Sequence, residues 1–295
     1  IQSDPSLDGI GAVIFDEFHE RSLNADLGLA LVWEARGALR EDLIVLVMSA
    51  TLDAAPVAAM LDASIVTSEG RSFPVDMRWL ERPIGKGVRY EAAVTPLIEQ
   101  AVAETDGGVL VFLPGEGEIR RVEAALSLPD CDVRPLFGAM DFKAQRAAIG
   151  PSERRKVVLA TAIAETSLTI PDIRVVVDGG RARRARFDPN SGMSRLVTER
   201  VTKAEAVQRA GRAGRVADGV CYKLWTKGED GGLLAFPPAE IEAADLTGLV
   251  LELAVWGAAP GDLAFLTAPP ERAFKEAQAL LQMLGALDAN GRITD

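Results

Sequence analysis

Six short apolar runs punctuate the chain, and each ends in small or polar residues. They are "GAVIF" (11–15), "LIVLVMSAT" (43–51), "GVLVFLP" (108–114), "KVVLAT" (156–161), "RVVVDGG" (174–180) and "GVCYKLW" (219–225). Their apolarity is continuous rather than alternating, which predicts strands buried on both faces. Between several of them lie stretches with helical spacing: "ADLGLALVWEARGAL" (25–39), "AAVTPLIEQAVAE" (92–104) and "GEIRRVEAAL" (117–126). Strand and helix in alternation predict an α/β fold, a parallel sheet with helices on both sides.

Two breaks interrupt this rhythm. Residues 68–88 and 228–240 are rich in Gly and Pro, lack a clear period, and read as linkers. After the second break come "LTGLVLELAVWG" (246–257) and "ERAFKEAQALLQMLGAL" (271–287), helix-like with no buried strand between them. Three pieces follow: 1–78, 79–230 and 231–295. The first holds only two clear strands, few for a doubly wound domain, and the chain starts just before one of them. The expectation is a fragment whose N-terminal part is missing.

Apolar residues make up 48% of the chain, enough for real cores and too many for a disordered polymer. Cys131 and Cys221 have no metal-like spacing and read as small buried hydrophobes in a reducing, cytoplasmic setting. No stretch has the build of a signal peptide or a membrane span. The net charge of −11 argues by itself against nucleic acid. Its distribution argues the other way. Residues 181–215 carry ten Lys and Arg against three acids, so that this segment is +7 in an otherwise acidic chain.

The chemistry-bearing residues follow the apolar runs. Asp16 and Glu17 end the first, at the sheet edge where α/β proteins bind ligands. One carboxylate there can hold Mg²⁺ through water and a second can take a proton from an attacking water. The same dipeptide also suits an exposed acidic turn. His19, the only histidine, lacks the second histidine of a zinc-protease motif; Leu23 stands there. Ser49 and Thr51 place hydroxyls after the second run. "TAIAETSLTIPDI" (161–173) offers hydroxyls suited to a nucleic-acid backbone, or alternatively to helix capping. In "QRAGRAGR" (208–215), Arg209, Arg212 and Arg215 recur every three residues with Gly211 and Gly214 between. Clustered guanidiniums need an anionic partner, and a triphosphate suits them because arginine binds phosphate bidentately and stays charged. The glycines permit close approach.

In this order and spacing, "DEFH" (16–19), "SAT" (49–51), "FLPG" (112–115), "TAIAETSLTI" and "QRAGRAGR" resemble motifs II to VI of the DEAH-box helicases of superfamily 2. "DEFHERS" with "VTSEGRSFPV" (66–75) is most similar to the bacterial HrpB subfamily. The resemblance spans nearly the whole chain. It implies tandem RecA-like P-loop NTPase domains, the first truncated (1–78) and the second complete (79–230). The start of an α-helical winged-helix domain (231–295) would follow. It further implies ATP and Mg²⁺ as cofactors, with Asp16 positioning the metal and Glu17 activating water. His19 would couple the nucleotide site to the second domain, as would Ser49 and Thr51. Gln208 would place the water. Arg209, Arg212 and Arg215 would meet the nucleotide, the last two as arginine fingers. Thr161, Thr166 and Ser167, with Arg181, Arg183, Arg184 and Arg186 of a β-hairpin, would hold single-stranded RNA, or DNA. A monomer acting away from membranes is expected.

The sequence departs from the family at four points. Phe18 replaces an alanine, Ala162 replaces an asparagine, and Ile149 stands where an adenine-stacking aromatic is expected. Most consequentially, no G-x-x-x-x-G-K-[ST] loop is present; near Gly85–Lys86, Leu80 occupies the first glycine position and Gly87 follows the lysine. The resemblance therefore implies an ATP-driven parent and a chain that hydrolyses little by itself. The rival reading is a non-catalytic nucleic-acid-binding module on a retained helicase fold. It would expect damage at Asp16, Glu17, Gln208, Arg212 or Arg215, and all five are intact. An unrelated NTPase of the same sheet class is disfavoured by the ordered pairing of the last two motifs.

Overall fold

The structure is a computed structural model and describes residues 1–50, 54–68, 70, 72–165, 170–188 and 191–294. Thr51, Thr166 and Ser167 lie outside the described residues. In chain order the elements begin with β1 (Ala12–Phe15), α1 (Leu23–Ala38), β2 (Ile44–Val47), α2 (Ala54–Met60) and β3 (Val75–Leu80). Next come α3 (Tyr90–Glu104), β4 (Gly108–Phe112), α4 (Glu116–Ala125), β5 (Cys131–Leu136), α5 (Phe142–Ile149) and β6 (Arg155–Ala160). The remainder is β7 (Ile173–Asp178), β8 (Arg181–Asp188), β9 (Met193–Arg200), α6 (Lys203–Gly211), β10 (Gly219–Thr226), α7 (Lys227–Gly231), α8 (Thr247–Trp256) and α9 (Glu271–Met283). The chain divides into two compact units, one of residues 1–67, 185–196 and 238–295, the other of residues 68–184 and 197–237.

The second unit is built on a six-stranded sheet in the order β3-β10-β7-β4-β6-β5, with every pairing parallel. β4, β6 and β7 are the continuous apolar runs, and they occupy the centre because only a strand covered on both faces can bury every residue. Val109, Val111, Val157, Leu159, Val175 and Val177 point to one face, where α3 and α4 supply Val94, Ile98, Ile119 and Val122. Leu110, Phe112, Val158, Ala160 and Val176 point to the other, against Ala148 of α5 and Ala210 of α6. Cys131 and Cys221 are buried free thiols, as their use as small hydrophobes implies.

The edge strands were not legible. Residues 68–88, expected as a linker, contain β3, which pairs along β10. Edge strands need fewer apolar residues, so "VDMRWL" shows no buried-strand signal. β5 is the opposite edge and carries Pro135, which an edge position tolerates. The second expected linker likewise overlaps the short helix α7, started by a Thr226–Glu229 capping box.

In the first unit, β1 and β2 pair in parallel as a two-stranded sheet. They are not buried on both faces as their composition predicts. Phe15, Val45 and Val47 pack with Phe18, Leu29, Val57 and Leu61, while Ile14 (55%) and Ile44 (57%) stay exposed on the other face. α1 is apolar on two sides. Leu29 joins that small core, and Leu27, Ala30 and Leu31 join a larger one with Ile241, Leu246, Leu249, Val250 and Leu253. The C-terminal residues 238–295, expected as a separate piece, therefore share a unit and a core with residues 1–67. No described helix is long and apolar enough to cross a membrane.

Candidate functional site

The acidic turn forms where β1 ends. Glu17 has φ 50° and ψ 34°, a left-handed conformation that costs a non-glycine residue on the order of 1–3 kcal/mol and persists only where neighbours impose it. Three contacts do so. The Asp16 carboxylate accepts from Glu17 N at 2.8 Å, Phe18 N donates to Met48 O at 3.0 Å, and the Phe18 ring is fully buried, edge-on to Phe15. Phe18, the departure from alanine, thus anchors the turn in the small core. The result exposes Asp16 and half-buries Glu17, two carboxylates presented at the carboxyl end of a strand.

His19 is buried beneath them. Its Nδ1 lies 3.5 Å from Glu17 Oε2 and 3.4 Å from Ala50 N. A deprotonated Nδ1 can accept from the amide, and a protonated one can donate to the carboxylate, so the ring reads both partners with one nitrogen. The contact at Ala50 joins the acidic turn to the segment holding Ser49, which is exposed at the end of β2.

The arginine-rich segment behaves differently from its sequence reading. Arg209, expected at the nucleotide, is 1% exposed. Its Nε donates to Glu165 Oε1 at 2.7 Å, its Nη1 to Asp178 Oδ1 at 2.8 Å and to Arg181 O at 3.2 Å, and its plane lies over Phe112, 5.0 Å from the ring centre. The anionic partner its charge requires is inside the protein, so no donor is directed to a phosphate. Burial opposes the charge, but Asp178 and Glu165 hold the guanidinium pKa above its ordinary value. Burial also pushes the Glu165 carboxyl up, against the pull of Arg209. Arg212 is buried as well and directs Nε (2.7 Å) and Nη2 to the Glu165 carbonyl oxygen. Two carboxylates and two guanidiniums make this buried cluster formally neutral, the condition under which buried charge is tolerated.

The other members of the segment lie outward. Gln208 is half-buried and Arg215 exposed. Gly214, expected to admit a ligand, admits the chain itself: a Cβ there would lie 2.5 Å from Phe73 O, and Phe73 N donates to Gly214 O at 2.8 Å. Close approach to the lead-in of β3 is what requires the glycine.

The β8–β9 ribbon divides its arginines. Arg184, expected on nucleic acid, is drawn inward by Glu199 at 3.2 Å and by Glu205, with another donor on Arg200 O. Arg181 is exposed and lies over Tyr90 at 4.6 Å. Arg183 is exposed with Glu118 at 3.3 Å, and Arg186 is half-buried. Thr161 is half-buried after β6, and Ala162 is exposed beside it. Ile149 packs against the core at the end of α5.

Three residues here escaped the sequence reading. Glu165 lies within a segment searched for its hydroxyls. Asp178 ends β7 as Asp16 ends β1, so the rule that flagged one carboxylate could have flagged the other. Arg21 pairs with buried Asp26, and no sequence signal joins them.

Asp16 and Glu17 are hard oxygen donors, and among the described residues no group of three or more His, Cys, Asp or Glu could hold a metal ion. This donor set fits a hydrated Mg²⁺ that arrives with a phosphate ligand, not an ion caged by protein.

A six-stranded parallel sheet, with Asp178 at the end of β7 paired to the buried Arg209 of "QRAGRAGR", defines a RecA-like domain. A family model described as "Helicase conserved C-terminal domain" matches residues 92–217. The chain is similar to the DEAH-box RNA helicases, HrpB among them. It is 48% identical to the ATP-dependent RNA helicase HrpB of Escherichia coli, over 98% of this chain and 36% of that protein. Identity is 34% to the ATP-dependent RNA helicase HrpA of E. coli, over 97% of this chain and 23% of the relative. A crystal structure of E. coli HrpB superimposes on all of this chain with a TM-score of 0.92, covering 38% of the solved chain. The chain thus spans little more than a third of HrpB's length.

Proposed function

We propose that the chain is the part of an ATP-dependent RNA helicase that carries the hydrolytic carboxylates and the arginines answering the triphosphate's charge. Asp16 would hold Mg²⁺, and Glu17 accepts the proton of the attacking water. The ion, when bound, offsets phosphate charge. Gln208 orients the water, and Arg212 and Arg215 act on the γ-phosphate, with Arg212 leaving or sharing the Glu165 carbonyl to do so. Arg209 holds their helix in place and does not touch nucleotide. His19, Ser49 and Thr51 couple the acidic turn to the rest of the motor. Thr161, Thr166, Ser167, Arg181, Arg183 and Arg186 grip a single strand, RNA in preference to DNA. Hydrolysis drives movement along it, in a monomer of the cytoplasm.

The observation that carries this reading is the strained Glu17 turn, which displays two carboxylates at a strand's carboxyl end while keeping His19 beneath them. The E. coli relatives named above are ATP-dependent RNA helicases by name, which supports the substrate assignment. The sequence lacks a G-x-x-x-x-G-K-[ST] loop, so the chain by itself should hydrolyse little.

The test is ATP hydrolysis with and without single-stranded RNA, by this chain and by the parent protein extended upstream, each with a Glu17→Gln control. RNA-stimulated hydrolysis by the extended protein alone, abolished by Glu17→Gln, is the expected result. A silent extended protein that still binds RNA through residues 181–215 would replace this reading with a non-catalytic module.

A further inference from the structure

The acidic turn is held from its far side by residues more than two hundred positions away. Arg21 closes the single 3-10 turn that follows Glu17, and it too is left-handed, with φ 50° and ψ 42°. Its side chain is a fork over buried Asp26: Nε to Oδ1 and Nη2 to Oδ2, both 3.1 Å. The same Nη2 donates to Thr267 Oγ1 at 2.8 Å. Its carbonyl oxygen accepts from Glu240 N at 3.0 Å, and the Glu240 carboxylate accepts from Leu23 N at 2.7 Å, at the start of α1. The chain therefore leaves the acidic turn through a clasp in which Thr267 and Glu240, both from the C-terminal segment, bind one residue's side chain and backbone. α1 carries the connection onward by packing on Ile241, Leu246 and Leu249.

Two left-handed residues, Glu17 and Arg21, bracket three residues of 3-10 helix, so releasing one end frees the other to relax toward ordinary backbone angles. The small core holds Phe18 but offers nothing to the polar atoms of Arg21. Asp26 alone could neutralise the guanidinium, yet it would leave the carbonyl of Arg21 and its third donor direction unset. The contacts from Thr267 and Glu240 complete the set.

We propose that the C-terminal segment is a positioning element for Glu17, acting through Arg21 as the positioning residue, with Asp26 as counter-ion and Thr267 and Glu240 as the clasp. Residues 238–267 thereby set the geometry of the water-activating carboxylate. The inference rests on the reading that Glu17 performs that step.

Two readouts test it. The first is amide hydrogen exchange over residues 16–22 of this chain, with β4 and β6 as internal controls. Thr267→Val removes one acceptor from a charged donor and leaves the Arg21–Asp26 fork intact. It should raise exchange in the turn by about tenfold, the size of one such hydrogen bond. Thr267→Ser, which keeps the hydroxyl, should restore it. Glu240→Gln should act through the Leu23 amide in the same direction. The second readout is steady-state ATP hydrolysis by the extended parent: Thr267→Val should lower kcat by several-fold with KM for ATP unchanged, and Thr267→Ser should recover it. Unchanged exchange in the turn overturns the proposal whether or not the parent hydrolyses ATP. Raised exchange with wild-type kcat reduces the clasp to a structural contact and also overturns it. A parent that hydrolyses no ATP while Thr267→Val still raises exchange defeats the functional reading and, with it, the claim about Glu17, but not the clasp.

Discussion

The acidic turn and the arginine cluster are both small charged sites at strand ends, and they are secured in opposite ways. Around Arg209, every partner comes from the sheet unit that carries it: Glu165 after β6, Asp178 at the end of β7, Phe112 at the end of β4. Charge is buried there and cancelled there. The acidic turn sits on a two-stranded sheet with one face exposed. It keeps its carboxylates toward water and borrows rigidity from α1, from Phe18 and from residues 240 and 267. A buried site can be fixed by its own ion pairs because their alternatives are costly. An exposed site cannot, since exposed pairs are worth little, and it must be held through backbone geometry and distant anchors.

The largest effect that would break this contrast is at Arg209. Arg209→Ala leaves Glu165 and Asp178 buried without their counter-ion and should cost the sheet unit about 3–5 kcal/mol. Urea unfolding followed by hydrogen exchange should show the loss in β4, β6 and β7 while α8 and α9 keep their protection. Loss shared equally by all would erase the distinction.

Next is Glu17→Gln, which removes the proton acceptor and keeps the side-chain volume. Hydrolysis by the extended parent should fall roughly 10²–10⁴-fold. Because Glu17 is half-exposed, the unfolding free energy from urea titration should hold within about 0.5 kcal/mol. Phe18→Leu should sit between function and stability, costing about 1 kcal/mol and raising exchange in the turn.

The ionisable hub between α7 and β10 sharpens the comparison through pH. Asp230 accepts from Trp225 Nε1 at 2.8 Å, from Lys223 Nζ at 3.0 Å and from Trp79 Nε1 at 3.3 Å. Burial pushes its carboxyl up, and these donors together bring it below the ordinary range. A depressed folded-state pKa means stability that is fully present above the unfolded value, about 3.9, and lost as pH falls through the folded value. With Trp33 and Trp256 replaced by phenylalanine, acid titration should change the fluorescence of Trp79 and Trp225 only below that range. A change near neutrality would contradict the assignment.

The smallest effect separates two arginines of the ribbon, Arg183 and Arg184. Arg183→Ala breaks an exposed pair with Glu118 and should cost less than about 1 kcal/mol of stability. It should weaken RNA binding and reduce the salt slope by about one. Arg184→Ala, which leaves Glu199 and Glu205 without that partner, should act on stability and leave the salt slope unchanged.

These contrasts mark how far the sequence could be read. Continuous apolar runs announced β4, β6, β7 and β10 because central parallel strands must be apolar throughout. β3 and β5 stayed hidden because edge strands carry no such demand. Asp16 and Glu17 were visible as charge at the end of an apolar run. The arginine repeat was visible as well, but its requirement for an anion was assigned to a ligand when Glu165 and Asp178 meet it for Arg209. Spacing shows that a charge needs a partner and does not say whether that partner is in the chain. Arg21 and its contacts to Thr267 and Glu240 were illegible for a simpler reason: no local pattern connects residues so far apart in the sequence.

The decisive measurement is a double-mutant cycle on RNA-stimulated ATP hydrolysis by the extended parent, with Glu17→Gln, Arg215→Ala and the two combined. Arg215 is exposed, so its removal leaves the buried cluster intact. If both residues stabilise one transition state, each single change should cost at least about a hundredfold and the pair little more than the worse single change. Losses that multiply, or wild-type hydrolysis by Arg215→Ala, would contradict a shared role on one triphosphate.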